Sequence, residues 1–185
     1  MGNMEQMVID VISSPDAQKL KTFTFNGKTF NSGIFQNIKS LLEGGFIKVI
    51  YEEKRGGSAE YDVSNNTLYL GFPKTFDLGQ KALVVHEVVH AAYDQVKIKM
   101  SVADSESIAY IVQCMYARMN NPNRDERLFS SKPARDKVFE VGWNLAGKII
   151  AGQGLTFDDC NAMREAVAKH PFYMANAAHD AKFNG

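Results

Sequence analysis

The hydrophobic and polar positions change rhythm near residue 76, and the change gives the chain two textures. Upstream, short apolar runs are separated by turn residues. Residues 21–25 and 28–30 flank Asn26-Gly27, a dipeptide suited to the positive φ angles of a two-residue hairpin turn. Residues 33–43 predict a short helix that stops at Gly44-Gly45. Residues 46–51, 60–63 and 67–72 are rich in aromatic and β-branched side chains, with turn clusters at Gly56-Gly57 and Ser64-Asn65-Asn66 between them. They predict three neighbouring strands in a small antiparallel sheet.

After Pro73 the pattern turns helical. Asp77 and Gln80 form a capping-box pair, and the helix they start runs through Ala82, Leu83, His86, Val89, His90 and Tyr93 to about residue 96. A second helix is predicted from Ser101, with Asp104 as its acidic third residue, to about residue 119. Residues 120–133, containing Asn-Asn-Pro-Asn and Ser-Ser-Lys-Pro, read as a loop. Residues 134–150 and 156–169 supply two more helices, and a short helical stretch is expected after Pro171. The fold class is therefore α+β: a sheet-bearing part over residues 1–75 and a mainly helical part over residues 76–185, within one domain.

Composition supports a single core, since 185 residues with 45% hydrophobic side chains suit one compact domain. Charge narrows the partners. Twenty-one basic and 21 acidic residues cancel, so no net field draws nucleic acid or anionic lipid to the chain. The basic residues Arg124, Arg127, Lys132, Arg135 and Lys137 are interleaved with Asp125 and Asp136 and read as a solvated loop. Cys114 and Cys160 lack the close spacing of a zinc knuckle or redox pair and are read as reduced thiols. The first ten residues have neither the basic nor the apolar region of a secretory signal, and position 6 is Gln where a myristoylation motif has Ser or Thr. With no stretch approaching a membrane span, the expected compartment is the cytoplasm; export without a cleavable signal is compatible with the same sequence.

The chemistry concentrates in His-Glu-Val-Val-His at residues 86–90. On a helix, positions i and i+4 share a face about 6 Å apart along the axis, so the imidazoles of His86 and His90 can converge on one ion. Glu87 sits about 100° round from His86, beside such an ion without ligating it, where a general base for a water on the metal belongs. Val84, Val85, Val88 and Val89 lower helix propensity, which burial must offset, so this is a core helix with a polar site cut into it. Zinc needs a third protein ligand, for which Asp94, Asp104 and Glu106 are in sequence reach. Asp94 lies about 12 Å of helical rise from His86, too far to share its ion, and is read as orienting His90 instead. Glu106 lies one turn inside the next helix between Ala103 and Ala109, a better position, whereas Asp104 is expected to spend its carboxylate on backbone amides.

His86-Glu87-Val88-Val89-His90, followed by Glu106-Ser107-Ile108-Ala109, resembles the gluzincin metallopeptidases, in which a helical His-Glu-x-x-His is completed by a Glu on the next helix. The resemblance spans about 50 residues, from residue 66 through Tyr116. It implies a zincin-like fold, one zinc held by His86, His90 and Glu106, and Glu87 as general base in hydrolysis of a peptide or protein substrate. It also implies that an edge strand before the motif helix pairs with extended substrate, a role falling on Thr67, Leu68, Tyr69, Leu70 and Gly71. The larger gluzincins have an Asp four residues after the ligand Glu, where this chain has Tyr110, and their transition-state-stabilising His or Tyr has no match. Tyr93, Tyr110, His170, Tyr173 and His179 are the candidates for that role; each taken singly reads as a packing or surface residue. The alternatives are a catalytically silent metal-binding or regulatory protein on the same fold, and an exported effector or toxin using the same site.

Overall fold

The computed structural model describes residues 3–72, 76–121 and 137–174, and among these the strands lie in the first half of the chain. In chain order the elements begin with helices α1 (Asn3–Ile12) and α2 (Pro15–Gln18), strands β1 (Phe23–Phe25) and β2 (Lys28–Phe30), and helix α3 (Ile34–Glu43). Strand β3 (Lys48–Tyr51), a 3₁₀ turn (Glu53–Arg55), β4 (Ala59–Asp62) and β5 (Thr67–Leu70) follow. The helices α4 (Leu78–Gln95), α5 (Val102–Asn120), α6 (Lys137–Ile150) and α7 (Phe157–Lys169) complete the order. The fold is α+β, with small sheets and a helical second half. The predicted loop beyond Asn121, the basic residues before Lys137, Pro73 and His179 lie outside the described residues. Residues 171–174, where a short helical stretch was expected, form turns.

The chain divides into two compact units. The described residues of the first lie within 1–19 and 32–98, and those of the second within 20–31 and 99–181.

The first unit packs α1 against α3, α4 and β3, and α4 against α3 and β4. Helix α1 was not read from the sequence, although Met4, Met7, Val8, Val11 and Ile12 recur at helical spacing; Val8, Val11 and Ile12 are buried. Helix α3 ends where its glycines predict. Gly45 adopts φ 72°, and the Phe46 and Gly45 amides donate to the carbonyls of Leu41 and Leu42, so the last turn is closed by a Schellman pair.

The three-stranded sheet corrects two expectations. Its order is β3-β5-β4, with β3 parallel and β4 antiparallel to β5, so it is mixed rather than antiparallel. Strand β5 is central, flanked on both sides, and Thr67, Leu68, Tyr69 and Leu70 are therefore not the edge that could take an extended substrate; Gly71 likewise exchanges backbone hydrogen bonds with the Gly57–Ser58 turn. The physical reason is burial. Thr67, Leu68 and Leu70 are all buried, whereas β3 and β4 each bury one residue, Val49 and Tyr61, so the most apolar strand takes the middle.

In the second unit the Asn26-Gly27 turn joins β1 to β2 with φ values of 45° and 76°, and Phe25 and Phe30 are buried. Helices α5, α6 and α7 pack against one another. Ser101 caps α5 by accepting from the Asp104 amide, and Thr156 and Asp159 form a capping box on α7. Cys114 and Cys160 are both buried, and no described helix is long and apolar enough to cross a membrane.

Candidate metal centre

Helix α4 begins as its sequence predicts. The Gln80 amide donates to Asp77 Oδ1 at 2.8 Å and the Asp77 amide donates to Gln80 Oε1 at 3.0 Å, which fixes the helical phase two turns before the motif. Val84, Val85, Val88 and Val89 are all buried, so the helix carries its polar residues inside an apolar shell.

His86 is 3% exposed and His90 is half-buried. Their Nε2 atoms lie 3.1 Å apart, with ring centroids 4.9 Å apart and planes inclined at 69°. Two imidazoles bound tetrahedrally to one zinc at 2.0–2.1 Å hold their nitrogens about 3.3 Å apart, so the pair fits a shared ion with a shift of a few tenths of an ångström. The same separation also suits a hydrogen bond from one neutral ring to the other.

Glu87 is held by the neighbouring strand. Its Oε2 accepts a 2.9 Å hydrogen bond from the Tyr61 amide of β4, and the residue is 7% exposed. The sheet register explains why that amide is available. Gly71 N–H donates to Ser58 O, which makes the alternate positions Glu60 and Asp62 the ladder-bonded ones and directs the Tyr61 amide outward from the edge strand. Glu87 also lines a small apolar pocket, together with Val8, Ile38, Leu42, Leu68 and Val88. Among the described residues, Oε1 has no hydrogen-bond partner.

Asp94, expected beside His90, is fully buried and accepts a 2.9 Å hydrogen bond from Tyr61 Oη. Glu87 and Asp94 are seven residues apart, two turns of one face, and they hold Tyr61 at its backbone and at its phenol. Burial, reinforced by the Asp94 carboxylate, pushes the Tyr61 phenol far above its ordinary pKa. Tyr61 was missed from sequence because its role rests on an outward amide of an edge strand, which no local motif encodes. Tyr93 lies in the interior at 2% exposure, with burial raising its pKa well above that of an ordinary phenol.

In the second unit, Glu106, between the buried Ala103 and Ala109, and Tyr110 stand one turn apart on α5, both half-buried. Tyr110 Oη lies 3.2 Å from Tyr173 Oη. His170 ends α7, and its Nδ1 accepts from the Phe172 amide at 3.3 Å. The expectation that Asp104 spends its carboxylate on backbone amides is corrected. Ser101 already caps that amide, and the Asp104 oxygens instead take two 3.3 Å hydrogen bonds from Asn26 Nδ2 at the hairpin turn and face Arg164 Nε at 3.2 Å.

No protein-family model, curated protein or solved structure matches this chain.

Proposed function

We propose that the protein is a cytoplasmic, zinc-dependent metallopeptidase of zincin-like fold, with His86 and His90 as ligands, Glu106 as the third ligand and Glu87 as general base. The observation that carries the reading is the 3.1 Å approach of the two Nε2 atoms on a buried helix. Two neutral imidazoles and a carboxylate are a zinc donor set that leaves a fourth position open for water or substrate. Zinc, when bound, supplies a Lewis acid that polarises a peptide carbonyl and acidifies a water.

The remaining work falls to the chain's own groups. Glu87 is held by the Tyr61 amide through Oε2, which fixes the carboxylate while Oε1 stays available to take a proton from water and return it to the leaving nitrogen. His86 is almost wholly withdrawn from solvent, while His90 keeps part of its surface open. Unstructured polypeptides are the substrate class to test. Backbone pairing through β5 forms no part of the reading, because that strand is central.

Replacing Glu87 with Gln keeps an amide oxygen for Tyr61 and removes the proton acceptor. The expected result is a folded, zinc-loaded protein whose peptide hydrolysis falls by about 10² to 10⁴. Hydrolysis at the wild-type rate in Glu87→Gln would overturn the mechanism. A second reading is favoured by the Glu87–Tyr61 bond itself: a metal-binding protein without turnover, in which Glu87 serves to latch α4 to β4. A zinc-loaded wild type that cleaves no unstructured polypeptide would select it.

A further inference from the structure

The turn that follows α7 buries the wrong residue by hydrophobic criteria. Phe172 and Met174 are 79% and 68% exposed, while Tyr173 between them is turned inward. The turn is tightly made: the Tyr173 and Met174 amides both donate to the His170 carbonyl, at 2.9 and 3.1 Å. Apolar burial alone would favour sheltering Phe172, since a phenol leaves water only when its hydroxyl is paired. Polar contacts therefore decide the choice.

Those contacts lead to one carboxylate. The Tyr173 hydroxyl bonds the Glu106 side chain as well as Tyr110 Oη. A phenol has one proton, so Tyr173 donates to the Glu106 carboxylate and accepts from Tyr110, forming a relay Tyr110 to Tyr173 to Glu106. Glu106 and Tyr110 stand one helical turn apart, and the rings of Tyr110 and Tyr173 meet edge to face at 81°. Phe139 also packs against Tyr110, with its ring at 85° and centroids 5.3 Å apart, which limits the ring's freedom.

We infer that Tyr173, backed by Tyr110, is a positioning residue that holds the Glu106 carboxylate in orientation for a metal ion. A carboxylate has two oxygens, and fixing one by a phenol leaves the other aimed as a ligand. The inference rests on the zinc reading proposed above.

The test is zinc affinity, measured by competition with a chromophoric chelator, for wild type, Tyr173→Phe, Glu106→Gln and the double variant. Circular dichroism and thermal unfolding of the metal-free proteins check that the fold is kept. Tyr173→Phe is expected to weaken zinc binding about 10- to 100-fold, and to have no further effect once Glu106 is Gln. Unchanged affinity in Tyr173→Phe, or an equal loss in both backgrounds, overturns the inference while leaving the zinc reading standing. A wild type that binds no zinc removes both. Should Tyr173→Phe fail to fold, Tyr110→Phe carries the test: a smaller loss that disappears in the Glu106→Gln background supports the relay, and no loss contradicts it.

Discussion

Tyr61 organises the first unit at the scale of single residues, because α4 grips it twice. Its amide has Glu87 Oε2 as partner, and its phenol has Asp94 Oδ2. Glu87→Ala leaves that amide without its acceptor, which is expected to lower stability by about 1–3 kcal/mol, whereas Glu87→Gln keeps a carbonyl in place and stays close to wild type. Urea unfolding of the two variants separates them, and equal stability of both would deny the latch. In the second unit the corrected role of Asp104 inverts an expectation drawn from capping alone. Ser101→Ala removes the cap and is expected to cost about 1 kcal/mol. Asp104→Asn still offers an oxygen to Asn26 and loses only its pairing with a partly exposed Arg164, worth less than about 1 kcal/mol. Thermal unfolding should therefore rank Ser101→Ala as the more damaging change, and the reverse order would restore Asp104 as the main cap.

Elements differ in how far the sequence determines them. Where a boundary depends on neighbours within four residues, it was legible: the Asp77/Gln80 box starts α4, Gly45 closes α3, and Asn26-Gly27 turns the hairpin. The i, i+4 spacing that brings His86 and His90 together is equally local. Strand order is not local. A run of three strands with turns between them reads as a meander, but β5 inserts between β3 and β4 because its side chains are the most deeply buried, and this choice is made by the sheet as a whole. The same holds for Glu87, whose motif position announces a base while its hydrogen bond to Tyr61 depends on the register of β4 against β5. Asp104 is a third case: its helix-start position suggests a cap, yet its partners Asn26 and Arg164 come from distant segments.

For the molecule as a whole, buried phenols couple stability to pH. Tyr61, Tyr93 and Tyr173 are all raised above the ordinary phenol value, with burial the first cause in each. A group whose folded pKa is raised contributes its stability fully below the unfolded value, about 10, and loses it as pH climbs toward the folded value. Urea midpoints should thus fall steadily above about pH 10, and Tyr61→Phe should lessen the slope; a flat profile would contradict the burial of these hydroxyls. The central claim concerns metal, and it has the most direct test. Purified wild-type protein, His86→Ala and His90→Ala are equilibrated with zinc, dialysed and analysed for bound metal. The account predicts about one zinc per wild-type chain and its loss from both variants. Full zinc retention by both variants, or a wild type that holds none, would contradict it.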